Sequence, residues 1–240
     1  MNERMSTVTV GEIVAADFRA AGVFERFDID FCCGGRRLLV DACRAAAADP
    51  DTVIGALDAL AASADREDDA IEWSTERLIE RIVRVHHGYV RSAVPMILRQ
   101  LAMLQREHDV RHPELARIRA SFDQIGADLQ QHMVKEEQVL FPYVRELATR
   151  KETQTPARSL FGTVANPIHT MEREHRDAAD GLRVVRELTN GYVAPANGGA
   201  TYTVCMAELA RFERDLHQHV HLENNVLFPR ALELELKVCG

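Results

Sequence analysis

An all-α fold, a small helical unit followed by an antiparallel four-helix bundle, is predicted by three observations. Four long stretches carry apolar residues at helical spacing and are separated by breaks rich in Pro, Gly and Asn. Strand signals, the strict alternation of apolar and polar residues, are almost absent. Finally, one stretch occurs twice, as HMVKEEQVLFP from His132 to Pro142 and as HVHLENNVLFP from His219 to Pro229. The copies stand 87 residues apart (219 − 132), too far for a solenoid repeat and about right for a duplicated helical hairpin.

Residues 1–63 read as the small helical unit. Val10, Ile13, Val14, Phe18 and Ala21 mark one amphipathic stripe, and Leu38, Leu39, Ala42 and Ala46 mark another. Asp49 before Pro50 is an N-cap followed by a proline at the first helical position, opening a third helix with Val53, Ile54, Leu57 and Leu60. Between the first two stripes lies DIDFCCGG, Asp28 to Gly35, whose glycines call for unusual backbone angles or a close approach. Residues 64–74 are acidic and unpatterned, a linker, and Ser74 or Thr75 caps the first long helix. Residues 75–240 then form the bundle, with helices over about 75–105, 114–148, 164–190 and 200–235. Such helices are roughly 45 Å long and bury their stripes by packing antiparallel.

A chain of 240 residues holds a core without disulfide staples. With 37 acidic and 29 basic residues it carries a net charge of −8, which argues against a nucleic-acid surface. No apolar run reaches the roughly 18 residues expected of a membrane span, and MNERMSTVTV lacks the basic-then-apolar pattern expected of a signal sequence. Five cysteines in a chain of this size suit reduced thiols in a cytoplasm.

The histidines separate by helix face. In the first long helix Ile79, Val83, His86, Val90 and Ile97 follow the apolar stripe, whereas His87 lines up with Glu80, Arg84 and Arg91, so His86 is the inward candidate. The second stripe runs Phe122, Ile125, Leu129, His132, Glu136, Val139 and Tyr143. The third includes Met171, His175 and Leu182, and the fourth runs Phe212, Leu216, His219, Glu223 and Val226. His217 and His221 align with Arg214 and Asn225 on a wetter face. A lone inward histidine is more often a hydrogen-bonded core residue than a ligand, and a lone H-x-x-x-E is more often a surface ion pair. Here one histidine per helix and two glutamates share otherwise apolar stripes, and buried carboxylates need partners or metal. Imidazole and carboxylate without thiolate suit iron, manganese or zinc. Six ligands from four helices suit two ions better than one closed structural zinc. No HExxH protease helix occurs.

These residues resemble the RIC (repair of iron centres) family, also called ScdA or YtfE proteins, over nearly the whole chain. The Cys-Cys-Gly-Gly motif of its N-terminal domain is matched by Asp30, Phe31, Cys32, Cys33, Gly34 and Gly35, and the two H-x-x-x-E…LFP motifs match its hemerythrin-like domain. The resemblance implies two non-haem iron ions, carboxylate- and oxo-bridged, held by His86, His132, Glu136, His175, His219 and Glu223. It further implies that Glu174 shapes access to the iron, a role for which Asp128 is shorter than the glutamate expected one turn before His132. The implied function is repair of iron–sulfur proteins damaged by oxidative or nitrosative stress. Alternatives are a hemerythrin-like oxygen or nitric oxide binder or sensor, and an enzyme reducing nitric oxide at the paired irons.

Adjacent cysteines rarely pair with each other, so Cys32 and Cys33 read as a thiol site meeting iron, nitric oxide or a client cluster, against packing as small apolar residues. Cys43, Cys205 and Cys239 carry no assigned role. A homodimer through the N-terminal domain is a further expectation.

Overall fold

A computed structural model describes residues 7–61, 72–108, 110–150 and 161–239. Four short helices come first: α1 (Val10–Ala16), α2 (Ala20–Arg26), α3 (Leu39–Ala45) and α4 (Pro50–Ala61). The expected linker falls largely on 62–71, and the break KETQTPARS on 151–159, outside the described residues. Four long helical runs come next. The first is α5 (Thr75–Arg81), a π-helical turn Ile82–His87 and α6 (Gly88–His108). The second is α7 (Glu114–Lys135), a π turn Glu136–Leu140 and α8 (Phe141–Thr149). The third is α9 (Ala165–Leu188), and the fourth is α10 (Gly199–His221), a π turn Leu222–Leu227 and α11 (Phe228–Cys239). Among the described residues, β pairing is limited to one isolated bridge, Thr9 to Leu38. No described helix is long and apolar enough to cross a membrane.

The chain divides into two compact units, Glu80–Glu146 with Arg158–His217, and Met1–Ile79 with Leu147–Ala157 and Gln218–Gly240. In the former, α7 packs against both α6 and α9. Phe212 of α10 meets Phe122 of α7 with ring centroids 5.0 Å apart and Tyr89 of α6 at 6.2 Å. Arg186 of α9 grips Glu213 of α10 at 2.6 Å. Ile97, Leu101, Ile118, Phe122, Leu182, Leu209 and Phe212 are fully buried, so the four stripes meet in one apolar core.

In the other unit, α1 packs against α2 and against the π turn Leu222–Leu227, and α4 packs against α2 and α3. The loop before α3 lies along the start of α1, with Gly11 N–H donating to the Gly35 carbonyl at 2.8 Å and Val10 N–H to that of Arg37 at 3.0 Å. Thr9 caps α1: its hydroxyl accepts from Glu12 N–H, and the Glu12 carboxylate accepts from Thr9 N–H. Thr9→Ala should therefore cost about 1 kcal/mol in denaturant unfolding. Hydrogen bonds from the Thr9 backbone and hydroxyl hold the Glu12 carboxyl below its ordinary value. A lowered carboxyl adds stability that is complete above its ordinary value and is lost as the pH falls, so the Thr9→Ala deficit should shrink in acid.

Several details depart from the sequence expectations. The stripe from Val10 to Ala21 is two helices, because Asp17 leaves the helix and takes the Arg19 backbone N–H at 3.1 Å and its guanidinium at 2.6 Å. Val139, expected inside, is 45% exposed, while Leu140 is buried. The π turn at Glu136–Leu140 shifts the inward face by one residue. Pro142 and Pro229 lie within their helical runs, each just after a π turn where the hydrogen-bond ladder has already slipped.

Candidate metal centre

In the α6–α7–α9–α10 unit, His132, Glu136 and His175 offer ligand atoms within 4.8 Å of one another. His132 Nε2 lies 3.0 Å from His175 Nε2 and 3.3 Å from Glu136 Oε1. The other Glu136 oxygen, Oε2, faces His87 Nε2 at 3.4 Å. Glu136 and His87 are 0% exposed, and His132 and His175 are 1% exposed.

The outer nitrogens of two of these rings are fixed by carboxylates. His132 Nδ1 donates to Glu174 at 3.0 Å, and Lys135 closes on the same carboxylate at 2.5 Å. His87 Nδ1 donates to Glu137 at 2.6 Å, which also takes the Arg91 guanidinium at 2.6 Å. The His132 hydrogen bond, reinforced by Lys135 and opposed by burial, brings the Glu174 carboxyl down to about 2. Burial works against Glu137, yet hydrogen bonds from His87 and Arg91 still hold its carboxyl below the ordinary value.

This arrangement sets the tautomers. A neutral imidazole carries one N–H, and with that proton on Nδ1 the Nε2 lone pair points inward. His87 and His132 would thus each aim a lone pair at an oxygen of one buried carboxylate. Lone pairs facing an anion in an apolar interior repel, and a cation between them turns the repulsion into coordination. The donor set therefore fits a metal ion.

The structure places His87, expected on a polar face, beside Glu136; His86, expected there, is also buried but pairs through Nδ1 with Asp215 at 3.1 Å. The cause is local. Ile82–His87 is a π turn, so the buried ladder steps five residues from Ile82 to His87, where a 3.6-residue period lands on His86. The adjacent pair of histidines was the only sequence signal for it. Glu137 was also missed; it comes directly after Glu136, one place round the helix.

In the other unit, His219 Nε2 and Glu223 Oε1 lie 3.0 Å apart, both fully buried. His221, expected on a wet face, is 0% exposed, flanked by Phe18 and Phe31 with ring centroids 6.0 Å away, and burial lowers it to about 3. Cys32 is buried and Cys33 half-buried. Asp30 caps their loop, accepting from Cys32 N–H at 3.1 Å, Cys33 N–H at 2.9 Å and the Cys32 thiol at 3.4 Å. A hydrogen bond with Cys33, burial and the Asp30 charge all push the Cys32 thiol well up. Asp128 is held at the surface by Gln124 at 2.9 Å. Cys43 and Cys205 are buried free thiols, and the side chain of Cys239 lies outside the described residues.

An all-α bundle with carboxylate-braced imidazoles around a buried glutamate defines a helical cation-binding protein. Residues 78–231 match the family described as "Hemerythrin HHE cation binding domain", and residues 6–61 match ScdA_N, "Domain of Unknown function (DUF542)". The chain is 34% identical over 228 residues to the iron-sulfur cluster repair protein YtfE of Dickeya chrysanthemi, covering 95% of this chain and 97% of that one. It is 35% identical over 231 residues to the YtfE protein of Musicola paradisiaca and 31% over 227 residues to that of Yersinia pestis, with the same coverage. The chain belongs to the YtfE family, joining an ScdA_N domain to a hemerythrin HHE domain.

Proposed function

We propose that this chain is a cytoplasmic di-iron protein that restores iron–sulfur clusters damaged by oxidative or nitrosative stress. The observation that carries the reading is Glu136, whose two buried oxygens each face a different imidazole nitrogen, the pattern expected of a carboxylate shared by two metal ions. The names of the curated relatives support the client class, damaged iron–sulfur proteins.

On this reading residues 1–63 carry the thiol site, 64–74 connect, and 75–240 hold iron. His87 stands where His86 was expected, joined by His132, Glu136 and His175; His219 and Glu223 are the matching ligands of the duplicated motif. Bound iron would supply an exchangeable ferrous ion and a centre able to take up oxygen or nitric oxide. Glu137 and Glu174 keep the ring protons outward on His87 and His132. Cys32 and Cys33 would meet the client.

The test inactivates a [4Fe–4S] dehydratase with nitric oxide and adds the iron-loaded protein. Recovery faster than with an equal amount of free ferrous iron is expected, and equal recovery sinks the repair reading. A second reading, oxygen or nitric oxide binding, is favoured by a 660 Å³ cavity reaching His132, Lys135 and Glu174 from Gln124 and Asp128. Reversible oxygen spectra in stopped flow would select it.

A further inference from the structure

We infer that Asn224 and Asn225 are positioning residues that tie the Cys32–Cys33 loop to the turn carrying Glu223, so that the reactivity of Cys33 responds to iron binding. The inference rests on Glu223 being an iron ligand, as proposed above.

Glu223, Asn224 and Asn225 are consecutive in the π turn Leu222–Leu227. Glu223 faces His219 on the helix interior at 3.0 Å. Its two neighbours reach the thiol loop instead. The Asn224 amide donates to the Cys32 carbonyl at 3.2 Å. The Asn225 amide divides its two hydrogens between the Phe31 carbonyl and His221 Nδ1, each at 3.0 Å.

Asn225 is also walled in by backbone. A Cβ at Gly35 would stand 2.0 Å from Asn225 Oδ1, and one at Gly11 2.7 Å from it. Glycine at position 35, whose backbone is not left-handed, leaves the space that the Asn225 amide occupies. The loop thus has two holds. Asp30 fixes its internal shape, whereas Asn224 and Asn225 fix it to the helix.

A π turn interrupts the regular ladder of the α-helix and recurs at functional sites, and here it carries Glu223 and both amides on consecutive residues. A cation that draws the Glu223 carboxylate away from His219 alters the side-chain hold on this turn. The two amides pass the displacement to the carbonyls of Phe31 and Cys32, and so to Cys33, the more exposed of the two thiols.

The experiment alkylates Cys33 with iodoacetamide in the full-length chain, iron-free and loaded anaerobically with ferrous iron, and tracks the modified peptide by mass spectrometry. Iron content is measured on the same samples. The two states of the wild type should differ in rate by about fivefold or more, the lower range of allosteric couplings. In Asn224→Ala/Asn225→Ala that ratio should fall towards one while iron content stays the same, because Asp30 still shapes the loop. Asn225→Asp, which keeps the shape and loses the donor, should also lower the ratio and covers the case in which the double variant fails to fold. Equal rates in an iron-binding wild type, or an undiminished ratio in the folded variants, overturn the inference. Failure of the wild type to take up iron overturns the ligand role of Glu223 itself.

Discussion

Glu136→Gln should make the iron-free protein more stable and the iron-loaded protein less so. In the iron-free protein the Glu136 carboxylate is buried among imidazole nitrogens that face it at 3.3 and 3.4 Å. The glutamine is isosteric and uncharged, and its amide donates to one of those nitrogens. One added hydrogen bond contributes about 1 kcal/mol, which in a chain of this size raises the unfolding midpoint by about 2–4 °C. With iron the sign reverses. Metal at a hundredfold excess over its dissociation constant stabilises by about 2.7 kcal/mol, or about 5–10 °C, and a neutral amide is a far weaker ligand than a carboxylate. Thermal melts with and without ferrous iron, run beside metal analysis, read both effects. A glutamine variant that takes up a full complement of iron and shows the wild-type melting shift would defeat the proposed ligand role of Glu136.

The second large effect separates two adjacent histidines. His87→Ala should weaken iron binding by about 100-fold or more, since a direct ligand matters beyond the 10–100-fold typical of residues that only orient one. His86→Ala should leave iron content near the wild-type level. Its penalty falls on stability: the Asp215 carboxylate, half-buried, loses its imidazole partner at 3.1 Å, a loss of about 1–3 kcal/mol. Iron content should therefore drop in the His87 variant, and the unfolding midpoint of the iron-free protein should drop in the His86 variant. Loss of iron from the His86 variant alone would return the ligand role to the residue that simple helical periodicity selects.

That contrast shows what was legible in the sequence. The long helical runs were, because Phe122, Ile125, Leu129 and His132, like Leu209, Phe212 and Leu216, keep a regular helical period through buried positions. So was the H-x-x-x-E pairing, since His132–Glu136 and His219–Glu223 do lie within 3.3 and 3.0 Å. The period misled at His86 and His87, and at Val139 and Leu140, where the turn widens. No local residue type announces such a turn, so a fixed angular step runs straight past it. His221 was misread for a different reason: its cover comes from Phe18 and Phe31, some two hundred positions earlier, which a helix-by-helix reading does not bring into view. The Asn225–Gly35 contact was hidden likewise, although the glycine itself marked the place where something comes close.

Each widened turn amounts to one surplus residue spliced into an otherwise regular rod. Excising a single residue from Ile82–His87, such as Val85, which points outwards at 38% exposure, would restore the ordinary ladder and swing everything upstream by about 100° relative to α6. The imidazole at 87 could keep its station only if the preceding helix gave up its own burial of Leu78, Ile79 and Ile82. Chain length at these three points is therefore under tighter constraint than side-chain identity over much of the apolar core, where shape-preserving exchanges are tolerated.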